Sequence, residues 1–299
     1  MTGSMIENIG NTPIVQIVEE GFFAKVYAKL ENLNPAGSIK DRVAKCMIED
    51  AEQSGKLKKG GTIIEATSGN TGIGLALVGK EKGYRVIITM PNTMSVERIR
   101  MIEGYGATVI LTDGKQGMQG AVNKAEEILN NTPNSIIAGQ FENPSNPKAH
   151  YTSTAPEIYN QLNGKVDILV AGIGTGGTIS GTGKYLKEKN PLTIVVGVEP
   201  ESSPLITKGY SGPHKIQGIG ANFIPKTFDK EIVDKVMTVS DEDAYLYKDL
   251  LNEKHAQFVG ISAGASYKIA RELALKEENK GKNIVVIFPD SGDRYLSVK

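Results

Sequence analysis

A lysine stands near the predicted start of a helix in the segment NPAGSIKDR, residues 34–42. Ser38 is a typical N-cap residue, and Asp41 three residues later completes a capping pair. Lys40 then lies in the first helical turn, where the positive end of the helix dipole disfavours a cation. A positive field favours the neutral form of an amine, and a neutral amine is a nucleophile for aldehydes. The alternative is an ordinary solvated lysine beside Asp41, and this segment alone favours that alternative.

A second candidate site follows the predicted strand VDILVAG, where the chain runs into glycines and then into a helix. Backbone N–H groups at a helix N-terminus form an anion site that suits a phosphate. Gly172, Gly174 and Gly177 also match the dinucleotide pattern G-x-G-x-x-G, and Glu199 follows about 22 residues later, near the position of a ribose-binding acid. The loop adds a further glycine and two hydroxyl groups, at Gly176, Thr175 and Thr178. A dinucleotide site, a single-phosphate site and a tight turn without a ligand all fit this segment.

A third candidate is the segment EATSGNTGIGLA, in which a predicted strand ends in small polar residues and opens a helix. The residues that offer N–H and hydroxyl donors there are Thr67, Ser68, Gly69, Asn70 and Thr71. A carboxylate is a natural ligand for such donors. The alternative is a plain turn whose Ser and Thr side chains cap the helix. Two anion loops and a first-turn lysine together predict a site for a phosphate, a carboxylate and an aldehyde, which describes pyridoxal phosphate with an amino-acid substrate.

Composition and charge argue against several other classes of function. The 299 residues include 34 acidic and 34 basic side chains, so no net charge favours nucleic acid or an acidic membrane surface. No apolar run approaches the roughly 18 residues of a membrane helix, and the start MTGSMIENIG lacks the basic and apolar regions of a signal peptide. The single cysteine, Cys46, excludes an intramolecular disulfide, and the three histidines lack metal-ligand spacing. We therefore expect a soluble cytoplasmic protein without a metal site.

Short apolar runs alternate with longer amphipathic ones along the chain. The predicted strands are TIIEA, YRVIITM, ATVIL, VDILVAG, TIVVGVE and NIVVIF. Their near-continuous apolar character is typical of strands buried on both faces of a parallel sheet. The predicted helices are 41–54, 71–82, 116–130, 177–189, 241–254 and 264–277. This alternation predicts an α/β fold, and the Pro- and Asn-rich segment 140–156 is a candidate crossing between two lobes.

Six segments that run in order over nearly the whole chain share one resemblance. They are NPAGSIKDR, EATSGNTGIGLA, GTGGT, HKIQGIGANFIP, GISAGAS and DSGDRYLS. Together they resemble the cysteine synthase (O-acetylserine sulfhydrylase) family, within the tryptophan-synthase-β-like class of pyridoxal phosphate enzymes. The resemblance implies two lobes, each a mostly parallel sheet flanked by helices, with the cofactor between them. It assigns 1–34 and 145–299 to a larger cofactor-phosphate-binding domain, and 35–144 to a smaller, mobile substrate-binding domain.

The resemblance also implies a role for each candidate residue. Lys40 would form a Schiff base with the cofactor and move the substrate's α-proton, and Asn70 would hydrogen-bond the cofactor's 3′ oxygen. Ser262 would face the pyridine nitrogen, unless it caps a helix that begins near Gly264. The phosphate would be bound by Gly174, Thr175, Gly176, Gly177 and Thr178. The substrate would be bound by Thr67, Ser68, Gly69, Thr71, Gln140, Gly218 and Asn222.

The implied reaction is a β-replacement that forms L-cysteine from O-acetyl-L-serine and sulfide. The neutral hydroxyl of Ser262 cannot keep the pyridine nitrogen protonated, so loss of the α-proton is linked to loss of a β-leaving group. An α-aminoacrylate intermediate and ping-pong kinetics follow. A cysteine lyase (desulfhydrase) that releases hydrogen sulfide, or a cystathionine- or lanthionine-forming synthase, would use the same intermediate. An NAD-dependent oxidoreductase and a non-catalytic binding protein are alternatives from other classes.

Asn222 departs from the family pattern, which usually has glycine at this position of the loop at the site entrance. The choice of substrate therefore stays open. Ala155 and Ala263 replace a usual glycine and a usual serine. The partners that the resemblance implies are an amino-acid substrate, sulfide or a thiol, a second copy of the chain in a homodimer, and the C-terminal peptide of a serine acetyltransferase.

Overall fold

In the computed structural model, which describes residues 3–94 and 96–296, ten strands form two separate sheets. The strands are β1 (Ile14–Ile17), β2 (Lys25–Leu30), β3 (Thr62–Ala66), β4 (Arg85–Pro91), β5 (Thr108–Thr112), β6 (Ser135–Ile137), β7 (Ile168–Gly172), β8 (Ile194–Pro200), β9 (Lys235–Val239) and β10 (Asn283–Phe288). The six predicted strands are confirmed as β3, β4, β5, β7, β8 and β10. Their β-branched side chains suit a pleated surface that is buried on both faces.

The helices of the described residues include all six that the sequence predicts. They are α1 (Lys40–Gln53), α2 (Asn70–Glu81), α3 (Val96–Gly104), α4 (Gly117–Asn131), α5 (Ser145–Ala149), α6 (Ala155–Gln161), α7 (Gly177–Lys189), α8 (Leu205–Lys208), α9 (Asp241–His255) and α10 (Ile261–Ala274). A π-helical segment, His150–Thr154, joins α5 to α6. Helix α10 begins three residues before its predicted start, because the extended backbone that precedes it ends at Gly260.

Unit 1 comprises Met1–Ile9 and Asn34–Asn146 and contains a four-stranded parallel sheet in the order β5-β4-β3-β6. In β3, Ile63 packs in one apolar cluster with residues of α1 and α2. Its neighbour Ile64 packs on the other side with Ala125 of α4. Helices therefore cover both faces of the sheet, as expected for strands that are apolar throughout.

Unit 2 comprises Gly10–Leu33 and Pro147–Lys299 and contains a six-stranded sheet in the order β1-β2-β10-β7-β8-β9. Strand β1 pairs with β2 antiparallel, and the other pairs are parallel. Tyr267 and Ile269 of α10 pack in the core with Val170 of β7 and Val286 of β10. Two mostly parallel sheets flanked by helices confirm the predicted α/β class.

The division into units differs from the predicted domains at the start of the chain. Residues 3–9 belong to unit 1, whereas the sequence analysis grouped them with the larger domain. The Ser4 hydroxyl and the Met5 N–H bind the Glu81 carboxylate at the end of α2, at 2.8 and 3.2 Å. The Lys45 ammonium of α1 binds the Ile6 carbonyl oxygen at 3.4 Å. These polar contacts hold the first residues against unit 1.

A buried ion pair fastens β2 to α6 within unit 2. The Lys29 side chain is fully buried, and its ammonium lies 2.8 Å from the Glu157 carboxylate. It also donates to the Thr12 carbonyl oxygen at 2.6 Å and to the Gln161 side-chain oxygen at 3.0 Å. Because an ammonium has three N–H donors, these three contacts satisfy the buried charge.

Candidate active site

Lys40 is the first residue of α1 and so lies in the first turn, as predicted, although the helix begins one residue before its predicted start. The Ser38 hydroxyl accepts a hydrogen bond from the Lys40 N–H at 3.2 Å. The Asp41 carboxylate accepts the Ala36 N–H at 2.6 Å. Ile39 already has helical backbone angles, so the Ser38 hydroxyl binds an N–H of the first turn as predicted, and only the predicted pairing with Asp41 is wrong. Asp41 instead closes the turn that precedes Lys40.

A glycine contact brings α1 and α2 together beside Lys40. A Cβ atom added to Gly74 would lie 2.9 Å from the Lys40 carbonyl oxygen and 3.3 Å from the Ala44 Cβ. A side chain at Gly74 would force the two helices apart. Gly74 lies about one turn inside the start of α2. The N-terminal ends of the two helices are therefore neighbours, and Lys40 lies near the loop that precedes α2.

We expect Gly74→Ala to lower the free energy of unfolding by about 1–3 kcal/mol, because the new methyl group overpacks the contact between α1 and α2. Denaturant titration of both proteins measures the difference. Gly104→Ala is a suitable control, since a Cβ there meets no atom within 4 Å. Equal losses in the two variants would contradict the close contact at Gly74.

The loop between β3 and α2 leaves the start of the helix without a side-chain cap. Gly69 occupies the N-cap position of α2, and no side chain hydrogen-bonds there as a cap. The Thr67 hydroxyl accepts the Gly69 N–H at 3.1 Å, and the Ser68 carbonyl oxygen accepts a hydrogen bond from Arg98 at 3.1 Å. The alternative in which these Ser and Thr side chains cap the helix is therefore wrong. An uncapped helix N-terminus keeps its anion-binding character.

Gln140 approaches this loop from the end of β6. Its side-chain oxygen accepts the Thr71 hydroxyl at 2.5 Å, and both residues are buried. Its backbone carbonyl accepts the Asn146 side-chain amide at 2.8 Å. Among the described residues, the Gln140 Nε2 amide has no hydrogen-bond partner. Its two N–H donors can therefore bind a carboxylate.

Glu65, the penultimate residue of the apolar strand β3, is a buried residue outside the predicted site. Its carboxylate accepts the Gly139 N–H at 2.7 Å and the Gln140 N–H at 3.1 Å. Burial raises the pKa of this carboxyl to about 7, which outweighs the opposite effect of the two amide donors, and the charge of Glu142 adds to the rise. The sequence signal was the acidic residue inside TIIEA, because a strand buried on both faces holds a carboxylate only with polar partners.

The raised pKa of Glu65 predicts that its contribution to stability falls as the pH rises. The folded protein keeps this proton up to about pH 7, whereas the unfolded chain releases it near the ordinary glutamate pKa of 4.5. Between these values the folded state binds more protons, so the free energy of unfolding decreases with pH. The free energy of unfolding of Glu65→Gln, relative to that of the wild type, should therefore rise by about 2–3 kcal/mol from about pH 5 to about pH 8.

Urea titrations at the two pH values measure this change. Glu52→Gln is the control, because the Glu52 carboxylate is partly exposed and pairs with Lys82 at 2.8 Å. We expect no comparable gain there, since an ion-paired carboxylate stays charged across this range. A pH-independent difference between wild type and Glu65→Gln would contradict the raised pKa.

The loop between β7 and α7 has glycines where the backbone and the packing require them. Gly176, the N-cap residue of α7, has a left-handed backbone with φ of 78°. A Cβ there would lie 2.4 Å from the Phe228 Cβ, and a Cβ on Gly174 would lie 2.3 Å from the Gly218 carbonyl oxygen. Packing therefore closes one side of this loop, and a side chain at Gly174 or Gly176 would displace its backbone.

Two threonines complete the loop after β7. The Thr175 carbonyl oxygen accepts the Thr227 hydroxyl at 2.6 Å, which fixes the backbone. Thr178 lies in the first turn of α7, and no side chain caps that helix. An uncapped helix start with hydroxyl groups beside it suits a phosphate. The residues present therefore fit the phosphate group of the predicted cofactor.

Glu199 is committed to a structural contact. Its buried carboxylate accepts the Ile206 N–H at 2.9 Å and the Thr207 N–H at 3.0 Å, and also the Thr207 hydroxyl. A carboxylate that binds the start of α8 in this way does not face a ribose. The dinucleotide alternative thus loses the acid on which it depended.

Ser262 lies inside the first turn of α10 and does not cap the helix. Helix α10 begins just after Gly260, and no side chain caps it. The alternative in which Ser262 caps a helix that begins near Gly264 is therefore wrong. Ser262 is buried, and a Cβ on Gly218 would lie 3.7 Å from its hydroxyl oxygen. Unit 2 thus brings Gly174, Gly218 and Ser262 together.

His150 is a second buried residue that the sequence analysis did not connect with a site. Its Nδ1 lies 3.0 Å from the Thr154 hydroxyl, and its Nε2 lies 3.3 Å from the Thr178 hydroxyl. Gly181 lets α7 pack here, because a Cβ there would lie 3.0 Å from the His150 Cβ. His150 therefore orients a hydroxyl of the loop after β7. Periodicity in the sequence did not predict the burial of His150, because a π-helical turn has neither the α-helical nor the strand spacing.

Asn222 is exposed, in a segment between α8 and β9 that has no helix or strand. Two residues earlier, the Gly220 carbonyl oxygen lies 2.9 Å from the His214 Nε2. The Gly220 N–H donates to the Ile173 carbonyl oxygen at 2.9 Å. These bonds hold the segment against the end of β7, so Asn222 follows directly on an anchored backbone.

The predicted site residues fall into two groups. Unit 1 contains Lys40, Thr67, Ser68, Gly69, Asn70, Thr71 and Gln140. Unit 2 contains Gly174, Thr175, Gly176, Gly177, Thr178, Gly218, Asn222 and Ser262. Within each group, the contacts described above bring loops at strand ends together.

Two kinds of feature are absent from the part of the chain that the structure describes. No group of three or more His, Cys, Asp or Glu residues there could hold a metal ion. No helix there has the length and the apolar character that a membrane span requires.

Comparison with known protein families identifies the chemistry. The family model described as pyridoxal-phosphate dependent enzyme matches residues 5–290. The chain belongs to this family. Its cofactor is therefore pyridoxal 5′-phosphate, as the two anion loops and the first-turn lysine predicted.

Individual relatives narrow the comparison. A cysteine synthase of Staphylococcus aureus strain Mu50 is 48% identical over 292 residues, which cover 97% of this chain and 94% of the relative. A solved cysteine synthase of Entamoeba histolytica is 41% identical with a TM-score of 0.96, covering 100% of this chain and 90% of that one. A hydrogen sulfide-producing enzyme of Fusobacterium nucleatum is 48% identical with a TM-score of 0.94, covering 99% and 100%. These likenesses confirm the resemblance that the sequence motifs carried.

Proposed function

We propose that the protein catalyses the pyridoxal-phosphate-dependent formation of L-cysteine from O-acetyl-L-serine and sulfide. The observation that carries the proposal is the position of Lys40 beside the loop before α2, which the contact at Gly74 imposes. The backbone of the residue whose amine can bind an aldehyde thus lies against the helix whose N-terminal end can bind a carboxylate. The identity of 48% with a cysteine synthase supports the same reaction.

Each predicted residue of unit 1 has a task in this proposal. The Lys40 Nζ would hold the cofactor by its aldehyde carbon and would move the proton of the substrate's α-carbon. Asn70 donates a hydrogen bond to the cofactor's 3′ oxygen. The substrate carboxylate is bound by Thr67, Ser68, Gly69, Thr71 and Gln140. Gln140 suits this task because its oxygen is occupied by Thr71 and its Nε2 donors face no other described group.

The residues of unit 2 bind the rest of the cofactor. When bound, pyridoxal phosphate withdraws electrons from the substrate's α-carbon, so that a proton and a β-substituent can leave. The phosphate is bound by Gly174, Thr175, Gly176, Gly177 and Thr178. Ser262 faces the pyridine nitrogen with a neutral hydroxyl, which favours linked loss of the α-proton and the β-substituent. Gly218 and Asn222 lie on the substrate side.

Lys40→Ala tests the proposal directly. We expect kcat for cysteine formation to fall by about 10³-fold or more, because one amine binds the aldehyde and moves the proton. The measurements are cysteine formed from O-acetyl-L-serine and sulfide, and the visible absorbance of the bound cofactor. Lys45→Ala is the control, since that ammonium lies on the same helix but binds the Ile6 carbonyl oxygen. Full activity in Lys40→Ala would refute the proposal.

A second candidate is a cysteine lyase that releases hydrogen sulfide from L-cysteine. The observation that favours it is the identity of 48% with a hydrogen sulfide-producing enzyme over 99% of the chain. The exposed Asn222 is the place where the two activities can be separated, because it stands where the resemblance expects glycine. A cystathionine- or lanthionine-forming synthase is a third possibility, supported by an O-acetylserine dependent cystathionine β-synthase of Helicobacter pylori at 41% identity.

Parallel assays separate these candidates. We expect cysteine formation from O-acetyl-L-serine and sulfide to be faster than sulfide release from L-cysteine. Asn222→Gly should change KM for the amino acid by about threefold or more and leave the free energy of unfolding within about 0.5 kcal/mol, because the residue is exposed. Faster sulfide release by the wild type would refute the synthase proposal and support the lyase.

The proposal also covers assembly and location. The family resemblance supports a homodimer in the cytoplasm that binds the C-terminal peptide of a serine acetyltransferase. It also supports a substrate-binding role for the smaller domain and a cofactor-phosphate-binding role for the larger one. Size-exclusion chromatography of the protein, with and without such a peptide, measures the assembly.

A further inference from the structure

The Glu65 carboxylate continues the pairing of β3 with β6 beyond the point where the backbone ladder ends. Ile64 pairs with Ile137, and the Ala138 N–H still donates to the Ile64 carbonyl oxygen at 3.0 Å. Gly139 then turns away with a left-handed φ of 70°. The next two N–H groups, of Gly139 and Gln140, bind the Glu65 carboxylate instead of a backbone carbonyl.

These contacts fix Gln140 at three points. Its N–H donates to Glu65 at 3.1 Å, and its carbonyl oxygen accepts the Asn146 amide at 2.8 Å. Its side-chain oxygen accepts the Thr71 hydroxyl at 2.5 Å. The remaining polar atom of the residue is Nε2, which these contacts orient. A buried residue whose backbone is held at two points and whose side chain is held at a third loses little further entropy when a ligand binds.

The charge on Glu65 does not serve the stability of the fold. Burial disfavours the ionised form, as its raised pKa shows. A neutral glutamine of the same shape would avoid the cost of a buried charge. It offers one acceptor oxygen, however, whereas the carboxylate offers two. The two amide N–H groups therefore require a carboxylate, and the fold retains one at a cost.

We propose that Glu65 is a positioning residue for the substrate carboxylate: it holds the turn at Gly139 and Gln140 so that the Gln140 Nε2 donors face the bound amino acid. The proposal rests on the function proposed above and adds a residue to it. Glu65 acts through Gln140 and does not touch the substrate.

The experiment compares Glu65→Gln, Glu65→Asp and the control Glu52→Gln as holoenzymes. L-alanine is the binding probe, because it keeps the amino and carboxylate groups and has no leaving group. At about pH 8, where the wild-type Glu65 carboxyl is ionised, we expect its Kd and the KM for O-acetyl-L-serine to rise by about tenfold or more in Glu65→Gln, since one charge-assisted hydrogen bond is lost. We expect kcat to change by less than about threefold. The affinity of the apoprotein for pyridoxal phosphate should stay unchanged.

Glu65→Asp keeps the charge and withdraws it by one methylene group, so an intermediate rise in Kd is expected. The control should match the wild type in every parameter. A wild type that holds the cofactor but responds to neither L-alanine nor O-acetyl-L-serine would refute the proposed function itself. A wild type that binds both, with Glu65→Gln binding them equally well, would overturn the role of Glu65 alone. Equal losses in Kd, kcat and cofactor affinity, or failure of both Glu65 variants to fold, would make the residue structural and would also overturn it.

Discussion

Parallel strand pairing determines where this protein can place reactive groups. Because neighbouring strands run in the same direction, the chain leaves them at the same edge of the sheet. In unit 1, the residues after β3 begin the loop at Thr67, and those after β6 reach Gln140. In unit 2, the residues after β7 form the loop that starts at Gly174. Within each unit, residues that are far apart in sequence therefore come close in space.

Strand pairing alone leaves these loops free to adopt many shapes, and buried polar side chains select one. Glu65 binds two N–H groups after β6, and Glu199 binds two at the start of α8. His150 contacts the Thr178 hydroxyl. Each of these groups lost water on burial and regained hydrogen bonds from the loop it holds. The ordered loops thus depend on these buried polar side chains as much as on the apolar core.

Local pattern was enough to predict most of the sheets and helices, and its failures have physical causes. The strand β6 has three residues, which is too short for a period to appear. The strand β2 has the sequence KVYAKL, in which Lys29 resembles a solvated residue. Lys29 is buried because its partner Glu157 lies 128 residues away in sequence. No window of local sequence contains that information.

The sequence indicated the loops of the candidate site but not the contacts of its buried carboxylates. Glycine, threonine and serine after apolar strands indicated the anion loops, since these residues offer their own backbone N–H and hydroxyl groups as donors. The partners of Asp41 and Glu199 were not predictable, because each depends on where a neighbouring turn ends. Asp41 binds the Ala36 N–H, five residues earlier, instead of the Ser38 N–H of the predicted pair. Roles that follow from composition were thus accessible from sequence, and roles that follow from backbone angles were not.

The ion pair of Lys29 and Glu157 also limits how this chain can evolve. Loss of Glu157 alone would leave the fully buried Lys29 ammonium without its carboxylate, at a cost of about 3–5 kcal/mol. That is a large part of the stability of a typical domain. This ion pair can therefore be replaced only by substitution of both residues, or after a third residue compensates the charge of Lys29. Descendants of such a gene should keep or exchange positions 29 and 157 together, even though neither residue belongs to the candidate site.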